Sequence, residues 1–237
     1  MECFISYNLN LGGEIYLCNI EILRMKSNTY INYSYIVYNR HKVGLIIDPS
    51  WDYEKINSTL SKKKIQLQAI LLTHEHFDHI NLAEKLSRKY KIPIYISWES
   101  LQNCDINRKN VKIISNESLI RVDDISIYPI LTPGHTKGSI SYLISKSLFT
   151  GDTLFIEGCG MCTDTTSSPQ DLFYSLKYLL KVIPKSTKIY PGHRYHSELG
   201  KSFAYTISNN IYLNIDTIED FIAFRMRPNQ KGLMDFI

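Results

Sequence analysis

The stretch Thr73-His74-Glu75-His76-Phe77-Asp78-His79 places four side chains able to bind a metal ion within six residues, directly after the apolar run Ala69–Leu72. The apolar run predicts a buried strand over Ala69–Thr73. A strand that ends in such a cluster delivers its imidazoles and carboxylate to the rim of a sheet. Because imidazole nitrogen and carboxylate oxygen suit Zn²⁺ and its first-row neighbours, this stretch predicts a metal site.

Three further candidate ligands follow other short β-like runs of the sequence. His135, Asp152 and His193 each lie in or beside a turn that contains Gly or Pro. The chain has seven His, and five of them belong to the first stretch or to these turns. We therefore expect one group of metal-binding side chains at the ends of several strands, formed by His74, His76, Asp78, His79, His135, Asp152 and His193.

Strand-like and helix-like segments alternate in each half of the chain. This alternation predicts two mixed sheets packed face to face with helices outside. The patterns predict strands over Tyr30–Tyr38, Val43–Ile47, Ala69–Thr73, Ile94–Ser97, Ile125–Leu131, Ile140–Ile144, Leu148–Thr150 and Lys188–Tyr190. They predict helices over Asp52–Lys62, Asn81–Tyr90 and residues 169–182.

Two helix starts can be predicted from their capping residues. Ser168 has the character of an N-cap, and Pro169 then stands at the first helical position, where proline is tolerated. Thr217 and Asp220 have the spacing of a capping box and predict a last helix near the end of the chain.

The order H-x-H-x-D-H, lone His, lone Asp, lone His resembles the metallo-β-lactamase superfamily, from about Tyr30 to His193. The resemblance implies the α+β class and an αββα sandwich of two mixed β-sheets with helices on the outer faces. It also implies one metallo-β-lactamase-fold domain over residues 1–237, in which residues 200–237 form a C-terminal helical tail.

Seven ligands are too many for one tetrahedral ion, so two Zn²⁺ are expected, with Fe or Mn as alternatives. By resemblance, the first metal is held by His74, His76 and His135, and the second by Asp78, His79 and His193, while Asp152 bridges both. A water between two such cations loses a proton near neutral pH and attacks a carbonyl as hydroxide. Asp78, which would orient that hydroxide, and Asp152 are the predicted catalytic residues.

The subgroup is indicated by residues around Asp152. Many true β-lactamases have Cys at this position. Gly151–Phe155 followed by Gly158-Cys159-Gly160 instead resembles hydroxyacylglutathione hydrolases, which split thioesters. The chain departs from them at Met161, where Arg is usual, and by a short tail, because only about 44 residues follow His193.

The run Met1–Asn19, the Gly160-Met161-Cys162 variant and the short tail together resemble the glyoxalase-like zinc hydrolases of bacterial polyketide biosynthesis. That resemblance implies a metal-dependent thioesterase that releases acyl groups from phosphopantetheine on acyl carrier protein. Carrier proteins are acidic, which suits the net charge of +4. Arg225, Arg227 and Lys231 resemble the family's tail and are the predicted substrate-binding residues.

Several alternatives share the same residues. They are a hydroxyacylglutathione hydrolase, a persulfide dioxygenase with one iron, an RNA-processing nuclease and a non-catalytic module that binds carrier protein. Cys159 and Cys162 have C-x-x-C spacing, for which a redox or zinc role is an alternative to ordinary packing. His41 and His196 lie outside the motif and are expected to be surface or loop residues.

Composition limits the class of protein and the cellular compartment that we expect. Apolar residues make up 44% and charged residues 21%, as in ordinary globular proteins. No apolar run approaches the roughly 18 residues of a membrane span. Residues 1–4 do not resemble a secretory leader, and five Cys then suggest reduced thiols. We expect a cytoplasmic protein that binds neither membrane nor nucleic acid, and the oligomeric state is left open.

Overall fold

A computed structural model describes residues 18–28, 30–115 and 118–237 of the chain. The two predictions drawn from the start of the sequence fall almost wholly on residues 1–17, which lie outside these ranges. They are the absence of a leader and the likeness of the run Met1–Asn19 to one hydrolase group. Within the described ranges, no helix has both the length and the apolar character needed to cross a membrane.

The first β-sheet comes from the N-terminal half of the described chain. Its strands are β1 (Asn19–Lys26), β2 (Ile31–Tyr38), β3 (Val43–Ile47), β4 (Gln66–Leu71), β5 (Ile94–Ser97) and β6 (Val111–Ile114). They are arranged in sequence order, β1-β2-β3-β4-β5-β6. The pairs from β1 to β3 are antiparallel, whereas those from β3 to β6 are parallel, so the sheet is mixed as expected.

The second β-sheet comes from the following part of the chain. Its strands are β7 (Ile120–Val122), β8 (Ile125–Leu131), β9 (Ile140–Ile144), β10 (Ser147–Gly151) and β11 (Lys188–Pro191). They are ordered β11-β10-β9-β8-β7. The sheet is antiparallel except for the parallel pair of β10 and β11.

The helices connect the strands and cover the outer faces. Those described are α1 (Tyr53–Lys63), α2 (Phe77–Ile80), α3 (Ala83–Tyr90), α4 (Trp98–Gln102), α5 (Pro169–Val182), α6 (Phe203–Asn209) and α7 (Ile218–Arg225). Short 3₁₀ turns occupy Arg108–Asn110 and Ile211–Asn214. Parallel strands need crossover connections, and α1 and α5 lie in two of them.

Three apolar clusters show how the layers stack. The central cluster joins side chains of both sheets, among them Tyr35 and Leu71 from the first and Tyr142 from the second. A second cluster packs the other face of the first sheet against helices α1 and α3. A third packs the second sheet against α5 and α7. The predicted αββα sandwich is thereby confirmed.

Both predicted helix starts are present. Ser168 accepts a hydrogen bond from the Asp171 backbone N–H, with Pro169 at the first helical position. Thr217 accepts one from the Asp220 backbone N–H and begins α7. These side chains satisfy backbone donors that have no partner inside the helix.

The structure departs from the predicted elements near the first ligand stretch. Phe77–Ile80 forms a helical turn of its own, α2, so that Asp78 and His79 lie on a helix. The long helix predicted from Asn81 begins only at Ala83. Strand β1 was not predicted, since only its second half alternates between buried and exposed residues, with Leu23 and Met25 buried. Residues 200–237 contain α6 and α7, and their separation as a tail stays a prediction.

Candidate metal centre

The seven predicted side chains lie on four connections that follow strands β4, β8, β10 and β11. Backbone hydrogen bonds tie these connections together, both between the two sheets and within the second. Ile140 N donates to Thr73 O at 2.8 Å, and Gly192 N donates to Gly151 O at 2.8 Å. The strand ends therefore meet at one edge of the sandwich.

The first group consists of His74, His76 and His135. Each offers one ring nitrogen, and the three atoms lie within 4.8 Å of one another. His135 Nε2 and His76 Nδ1 are 3.0 Å apart. His74 and His135 are buried, and His76 is half-buried. Three imidazole nitrogens at this spacing suit one zinc ion with an open fourth position.

The second group consists of Asp78, His79 and His193, whose ligand atoms also lie within 4.8 Å of one another. Asp78 Oδ2 is 3.6 Å from His79 Nε2 and 3.5 Å from His193 Nε2. Asn32 Nδ2 donates to the same carboxylate oxygen at 2.7 Å and so fixes its orientation.

Asp152 lies between the two groups. Its Oδ2 is 3.6 Å from His135 Nε2 of the first group and 3.3 Å from His193 Nε2 of the second. The position fits the predicted bridging carboxylate, and the assignment of all seven residues as ligands stays a prediction.

Each of the five histidines has its other ring nitrogen against an acceptor of the protein. Such outer contacts fix the tautomer of a metal-binding imidazole. The contacts are His74 Nδ1 to Thr73 Oγ1 (3.0 Å), His76 Nε2 to Asp164 Oδ2 (2.9 Å), His79 Nδ1 to Asp48 Oδ2 (3.0 Å), His135 Nδ1 to Met161 O (2.8 Å) and His193 Nδ1 to Ile31 O (2.7 Å). One nitrogen of every ring is left to face the centre.

Two buried atoms at this centre have no hydrogen-bond partner among the described residues, namely His74 Nε2 and Asp152 Oδ1. Buried polar atoms are paired in the great majority of cases. Both atoms belong to donor types that bind zinc, and both point into the group of imidazoles. The donor set therefore fits a metal ion.

Charge at the centre shifts the pKa values of its groups in opposite directions. Burial lowers the pKa of His79 and His193, but the Asp78 and Asp152 carboxylates outweigh it and raise the two values to about 9 and about 10. Burial lowers the pKa of His74 well below its ordinary range. Burial raises the pKa of Asp152, but the imidazoles of His193 and His79 outweigh it and hold that pKa well below its usual value.

Two glycines let the backbone approach this centre. A Cβ at Gly192 would collide with Asp152 Oδ1 and His79 Cε1, and a Cβ at Gly160 would collide with Asp152 O and the His135 ring. Both positions require the absence of a side chain because the ligands fill that space.

The family model for the metallo-β-lactamase superfamily matches residues 28–193, more than half of the chain. The chain belongs to the metallo-β-lactamase superfamily. Two curated relatives match over most of their length. One is "Probable polyketide biosynthesis zinc-dependent hydrolase BaeB" of Bacillus velezensis, 42% identical over 86% of this chain and 92% of the relative. The other is the similarly named PksB of Bacillus subtilis, 36% identical over 90% and 96%.

Among solved structures, ETHE1 from Myxococcus xanthus superposes with a TM-score of 0.78 at 26% identity, over 92% of this chain and 95% of that one. The expected membership of the superfamily is confirmed by these similarities, as is the likeness to zinc hydrolases named for polyketide biosynthesis.

Outer residues of this superfamily member were missed from sequence. Asp48 accepts hydrogen bonds from Thr73 N and Thr73 Oγ1, at 2.8 and 2.6 Å, besides facing His79. Its oxygens are thus already engaged, although it lies close to His74 and His79. The position of Asp48 directly after the buried strand β3 could have indicated its role from sequence. Nothing in the sequence around Asn32 or Asp164 indicates that these residues contact the ligands.

A pocket of about 380 Å³ opens onto the metal centre. Its lining includes His76, Asp78, His135, Asp152 and His193, and otherwise it is mainly aromatic or apolar. The predicted substrate-binding residues Arg225, Arg227 and Lys231 are not among those that line it.

Of these three residues, Arg225 is 3% exposed, and its guanidinium donates to Cys159 O and Gln230 Oε1. Arg227 and Lys231 are exposed. A role of any of the three in binding substrate stays a prediction.

The C-x-x-C pair is buried. Burial raises the pKa of both Cys159 and Cys162 to about 12, so the thiols stay protonated near neutral pH. Because the thiolate is the form that binds metal and reacts, packing accounts for these residues better than a redox or zinc role. His41 and His196 are both exposed and lie away from the groups described above, as expected.

Proposed function

We propose that this protein is a zinc-dependent hydrolase that cleaves acyl thioesters, with acyl groups carried on phosphopantetheine of an acyl carrier protein as substrates. The observation that carries the proposal is the position of Asp152 between two imidazole groups at the floor of an apolar pocket. The assignment as a metal-dependent hydrolase is supported by the names of two relatives that match nearly end to end.

The proposed role in polyketide biosynthesis is supported by the same two relatives, because both are called probable zinc-dependent hydrolases of that process. A thioester is the form in which carrier proteins hold their acyl groups. The +4 charge of the chain favours association with an acidic carrier. The exposed Arg227 and Lys231 are proposed to contribute to that attraction.

Two ions are proposed, the first at His74, His76 and His135 and the second at Asp78, His79 and His193, with Asp152 shared. Zinc in such a site supplies Lewis acidity toward the acyl carbonyl and lowers the pKa of water to near neutral. In the overall reaction the carbon–sulfur bond breaks, a carbon–oxygen bond to water forms, and the thiol leaves with a proton.

The chain's own residues hold the reacting groups in place. Asn32 Nδ2 donates to Asp78 Oδ2 at 2.7 Å, and Asn32 Oδ1 accepts from Trp51 Nε1 at 2.8 Å. These two hydrogen bonds orient the Asp78 carboxylate toward the centre, and the side chain that holds it, Asn32, is uncharged. The aromatic lining places apolar surface beside the centre, and a substrate that displaces water from it would strengthen electrostatic interactions inside the site.

The test follows thiol release from an acyl carrier protein and from acylglutathione by zinc-loaded protein. We expect faster release from the carrier protein. Asp152→Asn should lower kcat/KM by more than roughly 100-fold, the upper range for losing an outer partner of a metal ligand. Asp171→Asn, an exposed carboxylate in the first turn of α5, is the matched control and should keep the wild-type rate.

The alternatives give different results in the same test. Faster release from acylglutathione would indicate a hydroxyacylglutathione hydrolase. One iron per chain with oxygen uptake on a persulfide would indicate a dioxygenase. Carrier binding by metal-loaded protein without turnover would indicate a non-catalytic module. Any of these three results would contradict the proposed function.

A further inference from the structure

The pocket over the metal centre has two aromatic groups in its walls. One consists of Tyr30, Trp51 and Phe77, in which Trp51 stacks parallel to Tyr30 and meets Phe77 edge-on, with centroids 6.2 and 5.8 Å apart. Phe77 is 69% exposed, although it is a large apolar side chain next to the ligand Asp78. An exposed aromatic at the rim of a pocket is a surface that an apolar ligand would cover.

The other group includes a segment that folds back from the end of the described chain, Leu233–Ile237. Three hydrogen bonds dock this segment. Tyr195 Oη donates to Leu233 O at 2.9 Å, Ile237 N to Arg194 O at 2.9 Å, and Tyr33 Oη to Ile237 O at 2.7 Å. The docking brings Leu233, Met234 and Phe236 into the pocket wall.

Phe236 on this segment contacts a proposed metal ligand directly. Its ring stacks on the His193 imidazole, with centroids 4.0 Å apart and planes 17° apart. It also contacts the rings of Tyr195 and Phe155, at 5.1 and 6.1 Å between centroids. Phe236 therefore shields one face of a proposed metal ligand with apolar surface.

Charge in this pocket is confined to the proposed metal ligands. None of the other described residues that line it is Asp, Glu, Lys or Arg. A substrate carboxylate held against these walls, away from the metal ligands, would be desolvated without a cationic side chain to pair with, which is costly. An apolar group would instead gain affinity by roughly fourfold for each methylene buried.

We propose that the pocket selects thioesters with an apolar, uncharged acyl group, and that Phe236 on the docked segment Leu233–Ile237 is a specificity-determining residue. This inference rests on the proposed thioester hydrolysis. It assigns the acyl part of the substrate to the space between the segment and the aromatic group of Tyr30, Trp51 and Phe77.

The test uses thioesters of one small thiol, N-acetylcysteamine, with butanoyl, hexanoyl, octanoyl and succinyl groups. With wild-type protein we expect kcat/KM to rise about fourfold per methylene, mainly through KM, and to be lowest for succinyl. Phe236→Ala should flatten this rise at unchanged zinc content. Phe224→Ala, also half-buried but outside the pocket lining, is the matched control and should keep the wild-type slope.

A second variant guards against misfolding of the first. Met234 lines the pocket but is 43% exposed, so Met234→Lys is expected to fold and to place a cation at the wall. It should raise the kcat/KM ratio of succinyl to butanoyl thioester at least tenfold. An unchanged ratio in folded Met234→Lys, or equal rates of wild-type protein on all four thioesters, would overturn the inference.

Binding without turnover separates this inference from the proposed function. Calorimetry with the non-hydrolysable butyl to octyl thioethers of N-acetylcysteamine should give affinities that rise with chain length, and Phe236→Ala should abolish the trend. If this holds while no thioester is cleaved, the proposed function is wrong and the pocket assignment stands. If thioesters are cleaved but thioether affinity is independent of chain length, the pocket assignment is wrong.

Discussion

At the scale of single residues, the five histidines of the centre differ in what holds their outer nitrogen. Backbone carbonyls of Met161 and Ile31 hold two of them, and a hydroxyl holds a third. Carboxylates hold His76 and His79. A carboxylate partner raises the basicity of the imidazole and fixes its tautomer. Asp164 therefore acts on the proposed first metal through His76, without touching it.

Asp164→Ala is expected to weaken zinc binding by about 10–100-fold, because His76 Nε2 loses the acceptor that fixes its tautomer. Competition with a fluorescent chelator measures the affinity. Asp171→Ala removes an exposed carboxylate of the same type a few residues further along and should leave zinc affinity unchanged. Equal affinities of the two variants would show that the Asp164 contact has no part in metal binding.

Zinc binding is also expected to release about two protons per chain from the ligand imidazoles at pH 7, besides the proton lost by bound water. In the metal-free protein the pKa values of His79 and His193 are raised to about 9 and about 10, so both rings are protonated there. A metal needs the neutral ring, so affinity should rise with pH and level off above the raised values. Calorimetry in buffers of different ionisation enthalpy counts the protons. A binding enthalpy independent of buffer would contradict this charge assignment.

The ligand candidates could be predicted from sequence because each follows a strand-like run in its own turn. Their outer partners could not, since these come from remote parts of the chain. Asn32 reaches Asp78 across 46 positions, and Asp164 reaches His76 across 88. Only Asp48 carried a local signal, as a carboxylate at the end of strand β3.

At the scale of elements, the two sheets are joined at the strand that precedes the ligand stretch. Tyr142 on β9 is fully buried and donates its hydroxyl to Leu72 O, just beyond β4, at 2.6 Å. The neighbouring Ile140 N donates to Thr73 O. These two hydrogen bonds form a seam between the sheets, and the seam holds Leu72 and Thr73, which lead into the ligand stretch, against the second sheet.

Tyr142→Phe is expected to lower the free energy of unfolding by about 1–3 kcal/mol, because it leaves the Leu72 carbonyl without its donor in a buried place. Chemical denaturation of the metal-free protein measures the change. Tyr174→Phe, at a side chain that is 61% exposed on α5, should change stability by less than about 0.5 kcal/mol. A Tyr142→Phe protein as stable as wild type would mean that the seam adds nothing to stability.

Helix starts were more predictable than strand edges. Ser168 and Thr217 each accept a hydrogen bond from a backbone N–H three residues later, and this local pattern can be predicted from the sequence. Strand β1 depends instead on pairing with β2, and only its second half alternates between buried and exposed side chains. The turn α2 is four residues long, too short for a periodic pattern to show.

At the scale of the whole molecule, the sandwich was predicted from the alternation of strand-like and helix-like segments and from the family resemblance that the order of motifs carries. The pocket walls could not be predicted. Segment Leu233–Ile237 reaches the centre only by folding back onto Tyr195, Arg194 and Tyr33. No pattern within those residues indicates where they dock.

The folded chain as a whole should depend on metal for stability. Zinc at about 1,000 times its dissociation constant adds about 4 kcal/mol to the free energy of unfolding. For a chain of this length that corresponds to a rise in Tm of roughly 8–16 °C. Differential scanning calorimetry with zinc and after chelation measures it. Asp152→Asn should show a smaller rise, and an equal rise in both proteins would contradict a shared role for Asp152.

The central claim is that seven side chains converge so that Asp152 lies between two metal ions. The most direct test is an anomalous difference map at the zinc edge from crystals of zinc-loaded protein. The account predicts two peaks about 3.5–4 Å apart, one among His74, His76 and His135 and one among Asp78, His79 and His193. A map with no peak at these residues, or with zinc bound only elsewhere, would contradict it.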